Sequence, residues 1–131
     1  KRMLQNGIDV ARSSIGVLGV TFKENCPDIR NSKVFDLVKE LESWGSKAVL
    51  IDDWAPPKEV TENHGLKLSK FDDCCELDSI IVAVGHSEFR VMAPEMLRKL
   101  CQNERQPVLG DLKGLFDKGE CERAGFSVFR L

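Results

Sequence analysis

The sequence contains no run of basic residues, no C-x-x-C pair and no apolar stretch of the roughly 18 residues that would span a membrane. Each absence closes off a class of function. Nineteen Lys and Arg stand against 21 Asp and Glu, a formal net charge of -2, so no global field draws the chain to nucleic acid or to a membrane surface. No secretory signal opens it. The five cysteines (Cys26, Cys74, Cys75, Cys101 and Cys121) are odd in number and lack zinc-ligand spacing, which argues against a disulfide framework or a metal site. Reduced thiols in a cytoplasmic protein are the simpler expectation. A vicinal Cys74–Cys75 disulfide would be strained, and a helix there would keep both thiols reduced. Internal repeats and low-complexity linkers are also missing.

What remains is the composition of one soluble domain: 131 residues, 42% hydrophobic and 31% charged. Residues 1–6 read as the tail of a helix that stops at Gly7, and a chain that begins on half a helix is expected to have been cut from something longer. Residues 15–20 (Ile-Gly-Val-Leu-Gly-Val) form a short apolar run, as in a parallel strand buried on both faces. Asn31 or Ser32 can cap a helix whose apolar positions Val34, Phe35, Leu37, Val38, Leu41 and Trp44 recur at helical spacing up to Gly45. A strand over 47–51 completes a β-α-β unit, whose crossover is right-handed. The second half repeats the alternation. Helices are expected over 58–63, 70–77, 93–101 and 120–124, and strands over 66–68, 79–84, 107–110 and 126–129. This pattern predicts an α/β fold, a three-layer α/β/α Rossmann-like domain with a mostly parallel sheet of five to six strands.

Such sheets bind ligands outside the carboxyl ends of their strands. The connection 21–30, Thr-Phe-Lys-Glu-Asn-Cys-Pro-Asp-Ile-Arg, is longer than the usual two to six residues. It carries Lys23 and Arg30 ahead of a helix N-terminus, a setting that favours a phosphate or carboxylate. Glu24 and Asp28 could equally neutralise both cations and leave them solvated. Gly16 and Gly19 supply only G-x-x-G inside the strand, so an ordinary dinucleotide fingerprint is missing.

Read as a string, residues 19–33 (Gly-Val-Thr-Phe-Lys-Glu-Asn-Cys-Pro-Asp-Ile-Arg-Asn-Ser-Lys) resemble the opening of the C-terminal domain of the UDP-glucose/GDP-mannose dehydrogenase family. Further matches follow in order. Asp52-Asp53-Trp54-Ala55 resembles that family's Asp-Pro-Trp-Ala turn, and His64-Gly65-Leu66 its Tyr-Gly-Ile. Residues 83–89 resemble its Ala-Val-x-His-x-x-Phe, and residues 111–114 its Asp-x-Lys-Gly. The flavour is closest to bacterial UDP-N-acetylhexosamine 6-dehydrogenases of polysaccharide biosynthesis.

The resemblance implies part of an NAD-dependent enzyme that oxidises the C6 alcohol of a UDP-sugar to a carboxylate. Residues 1–12 would then end a helix from a central domain, and 13–131 would be the nucleotide-sugar-binding domain. It implies that Phe22, Lys23 and Lys113 contact the UDP-sugar, with Phe22 an apolar wall and Lys23 a charge for phosphate. Gly114 stands where some relatives carry a second arginine. Arg30 would reach an NAD held mainly by an N-terminal domain, and the full-length protein would be a homodimer. The catalytic cysteine of such enzymes lies in a Gly-Gly-x-Cys motif. That motif is missing here, so no catalytic residue is assigned and the isolated chain is expected to be inactive. His86 is expected to be a loop histidine satisfied by backbone, His64 a surface turn residue and Trp44 a core residue; Trp54 is left open between packing and an interface. A stand-alone nucleotide-binding or regulatory module, or a structural assembly domain, are the competing readings.

Overall fold

In the computed structural model, which describes residues 1–131, six strands form one sheet in the order β3-β2-β1-β4-β5-β6, every neighbouring pair parallel. The strands are β1 (Ser14–Leu18), β2 (Lys47–Ile51), β3 (Leu68–Ser69), β4 (Ser79–Val82), β5 (Val108–Asp111) and β6 (Ser127–Phe129). Strand order reverses between β1 and β4, and this places a ligand crevice at their carboxyl ends.

Period-two alternation sends successive side chains of each strand to opposite faces. Val17 and Leu50 face one core, with Phe35 and Val38 of α2 (Val34–Ser43) and Val60 of α3 (Pro57–His64). Leu18, Ile80, Val82 and Leu109 face the other, with Phe89 of α4 (Ser87–Arg90), Leu97 of α5 (Pro94–Arg98) and Cys121 of α6 (Lys118–Arg123). Helices on both faces make the three layers expected. A short helix, α1 (Arg2–Gln5), precedes the sheet; Asn6 caps it and Gly7 follows with φ +74°. No helix is long and apolar enough to cross a membrane.

Gly16 and Gly19 serve the sheet. A Cβ on Gly16 would stand 2.8 Å from Leu77, and one on Gly19 2.4 Å from the Cβ of Val84; Gly19 also has φ +90°. They let the β1 and β4 segments approach and end β1 early, and they form no cradle for a dinucleotide.

Several expectations need correction. The stretch 70–77 holds only a single 3-10 turn, Phe71–Asp73, because Glu76 adopts φ +57° and Leu77 pairs with Cys101 in an isolated parallel bridge. The residue preceding α2 is Lys33, and only the Ser32 hydroxyl, accepting from the Val34 N–H at 3.4 Å, approaches a capping role. Trp44 is not core: it is 63% exposed beyond the last turn of α2, its indole N–H donating to Glu40. His64 stacks on Phe35 with ring centroids 3.6 Å apart. All five cysteines are free thiols.

Candidate functional site

The connection after β1 runs over the carboxyl end of the sheet and is closed by its own backbone. The Phe22 N–H donates to the carbonyl of Asp28 at 2.7 Å. Asn25 and Asn31 take left-handed conformations, φ +53° and +60°, which asparagine tolerates better than most residues. Its backbone is thus fixed while the Phe22 ring stays 58% exposed.

Two further loops meet it from beneath. Asp52, at the end of β2, is buried and accepts from the amides of Trp54 and Ala55 through Oδ1, at 2.7 and 2.9 Å. Its Oδ2 accepts from the Val20 amide at 2.7 Å and from His86 Nε2 at 2.9 Å. His86, just beyond β4, is fully buried. Its Nδ1 accepts the Asn25 N–H at 2.9 Å, and Nε2 also lies 3.2 Å from the Thr21 hydroxyl. Asn25 Oδ1 in turn accepts from the Ser87 amide. Trp54 stacks over His86 and donates its indole N–H to Glu88 at 3.1 Å. Burial works against ionisation of Asp52, but the His86 donor and the Val20 and Ala55 amides outweigh it and hold the carboxyl below its ordinary value.

His86 is therefore satisfied by backbone on one nitrogen only; its other nitrogen serves a buried carboxylate. Sequence reasoning passed over this set because its members come from three separate loops. One signal was available: Asp52 and His86 both lie in the connections that follow β2 and β4, the strands flanking β1.

Phe22, Lys23 and Lys113 line one groove of about 490 Å³, within the range of small-molecule sites, floored by Val34, Ala83 and Val84. Lys113 reaches it from the turn after β5, which Asp111 orders by accepting from the Leu115 and Phe116 amides. Neither Lys23 nor Lys113 has a carboxylate within 4.0 Å. Two uncompensated ammonium groups and an aromatic ring on one groove are suited to a phosphorylated ligand with a planar or apolar portion. Arg30 does not join them. It opens on a different hollow, with Phe35, Lys39 and His64, and its Nε and Nη2 each stand 3.0 Å from the Asp28 carboxylate.

A doubly wound sheet with a cationic groove at its switch point defines a nucleotide-binding type of α/β domain. The UDP-binding domain of the UDP-glucose/GDP-mannose dehydrogenase family matches residues 16–118, and this chain belongs to that family. It is 42% identical over 113 residues to a UDP-N-acetyl-D-glucosamine 6-dehydrogenase of Salmonella typhi, covering 86% of this chain and 26% of the relative. It is 38% identical over 122 residues to the enzyme of the same name from Pseudomonas aeruginosa, covering 93% and 28%. The chain thus spans about a quarter of the length of these relatives. Among solved structures, an NDP-N-acetyl-D-galactosaminuronic acid dehydrogenase from Methanosarcina mazei superposes with TM-score 0.84 at 20% identity. That match covers 98% of this chain and 26% of the other, and extends the likeness in fold.

Proposed function

We propose that this domain binds the UDP moiety of a nucleotide sugar within a cytoplasmic, NAD-dependent UDP-sugar 6-dehydrogenase that makes a uronate for polysaccharide biosynthesis. One observation carries the reading: the adjacent Phe22 and Lys23 and the sequence-distant Lys113 line one groove at the switch point with both ammonium groups unpaired. Lys23 and Lys113 would bind the diphosphate, and the exposed Phe22 ring would wall off the apolar side of the ligand. The names of the Salmonella typhi and Pseudomonas aeruginosa relatives favour a UDP-N-acetylhexosamine as substrate.

The residues present do not fit NAD on their own. The glycines after and within β1 are used against Val84 and Leu77, so no backbone cradle is left for a pyrophosphate. Arg30, exposed at a second opening, would contribute to a cofactor held by another part of the chain. Residues 1–12 would carry the connection to that part, and the full-length protein would be a homodimer. No cysteine is placed as the nucleophile, since Cys101 and Cys121 are buried and none of the five lines the groove.

Amide NMR spectra recorded during a UDP titration test the assignment. Shifts are expected at Thr21, Phe22, Lys23, Ala83, Val84 and Lys113. Shifts confined to the hollow around Arg30 and His64, or none at millimolar UDP, would reject it.

A further inference from the structure

We propose that His86 is a positioning residue, a clamp of fixed tautomer that holds Lys23 over the groove from both sides. The inference rests on the reading of that groove as the UDP site.

The Asn25 N–H can only donate, so the His86 Nδ1 it faces at 2.9 Å must be bare. The ring proton of the neutral imidazole then sits on Nε2, directed at Asp52 Oδ2 at 2.9 Å and the Thr21 hydroxyl oxygen at 3.2 Å. The Thr21 hydroxyl spends its own proton on the carbonyl of Lys23 at 2.9 Å, so towards His86 it can only accept. One line of bonds therefore runs from Asp52 through His86 and Thr21 to the backbone of Lys23. A second leaves the other ring nitrogen and ends on the amide of Asn25, two residues further on. Asn25 is held from the opposite side as well, its Oδ1 accepting from the Ser87 amide, and its φ of +53° costs energy that these bonds offset. The imidazole and the Asp52 side chain are almost wholly shielded from solvent, at 1% and 0% exposure. Water does not compete there, and each lost bond leaves a buried polar group unsatisfied. Trp54 and Phe89 pack on the ring, with centroids 6.0 and 5.6 Å away, and hold its plane.

The two nitrogens do separate jobs, and two substitutions divide them. His86→Asn places an amide oxygen where Nδ1 accepts, keeping the Asn25 bond while losing the donor to Asp52. His86→Gln places an amide N–H where Nε2 donates, keeping the Asp52 bond while losing the acceptor for Asn25.

The experiment combines nitrogen-15 NMR of the wild-type imidazole, amide hydrogen exchange at Asn25, and UDP affinity by calorimetry in the 131-residue chain and both variants. The expected results are a bare Nδ1 and protonated Nε2, and slow exchange at Asn25 in wild type and His86→Asn. Exchange should be fast in His86→Gln. UDP affinity should fall about tenfold in His86→Gln and by only about threefold in His86→Asn, where the Thr21 hydroxyl still donates to the Lys23 carbonyl without its His86 partner. A proton on Nδ1 in the neutral wild-type ring overturns the clamp, whether or not either variant folds. So do equal losses of affinity in the two variants that track their thermal stability. If wild type binds no UDP, the groove reading fails and the clamp is judged on Asn25 exchange alone: equal exchange in the two variants overturns it.

Discussion

The amide of Phe22 donates to the carbonyl of Asp28 across the mouth of the loop, at 2.7 Å, while the Phe22 ring stays 58% exposed. Backbone and side chain of this residue do different work: the first closes the loop and the second faces outward. Phe22→Ala is therefore expected to change stability by no more than about 0.5 kcal/mol, as for other exposed side chains, and to weaken UDP binding several-fold. Thermal denaturation and calorimetry on one preparation check both halves. A large loss of stability with unchanged affinity would assign the ring to the fold.

Arg30 is fixed by its neighbour. Two parallel N–H···O bonds join it to Asp28, whose carboxyl is held below its ordinary value by that arginine. Because Arg30 opens away from the groove of Lys23, Arg30→Ala should leave UDP affinity within about twofold. An affinity loss equal to that of Lys23→Ala would contradict the division of the loop into two functions.

The Asp52 carboxylate makes stability depend on pH in a definite direction. Its folded-state pKa lies below the ordinary 3.8, so it stabilises the fold at neutral pH and loses that contribution as pH falls through the acid range below about 4. Asp52→Asn should cost roughly 2–3 kcal/mol at pH 7, since buried donors from His86 and Val20 lose a charged acceptor. Urea titrations from pH 7 downward should show the gap between wild type and variant narrowing below pH 4. A gap of constant size would show that Asp52 does not titrate with folding.

The thiols should divide by burial. Burial pushes Cys101 up to about 12 and Cys121 up to about 11, and both side chains lie in the core beneath β4 and β5. Cys75 is exposed and Cys26 half-buried. Brief iodoacetamide treatment near pH 8 should modify Cys75 first and Cys26 next, with Cys101 and Cys121 untouched until denaturant is added. Peptide mass mapping reads this directly. Early modification of Cys101 would place it outside the core.

The architecture was legible because five of the six strands are short apolar runs that alternate with helices, the pattern of a parallel sheet covered on both faces; the strand order is a tertiary outcome that no local pattern encodes. Boundaries were less legible. β1 was expected to reach Val20 but stops at Leu18, where Gly19 turns at φ +90° to bring the chain against Val84. A helix over 70–77 was expected from composition, yet the backbone there is drawn out by a bridge with Cys101, in which the Leu77 N–H donates to the Leu100 carbonyl and the Leu77 carbonyl accepts from the Gln102 amide, a tertiary contact no local pattern encodes. Helix α4 is a single turn, too short to show a period. Trp44 fits the apolar stripe of α2 by spacing, but it falls past the last turn and faces solvent. At the site, the loop and its charges could be read locally. The bonds joining Thr21, Asn25, Asp52 and His86 could not, since they exist only once β2 and β4 lie on either side of β1.

Whether the groove of Lys23 holds the diphosphate of UDP is tested most directly by calorimetric titration of UDP into wild type and Lys23→Ala. Lys23 forms no ion pair, so the substitution should leave the fold intact. Loss of one charged contact to phosphate should weaken binding by about tenfold, with uridine, which lacks the phosphates, little affected by the substitution. Identical UDP heats and affinities for the two proteins would contradict the assignment.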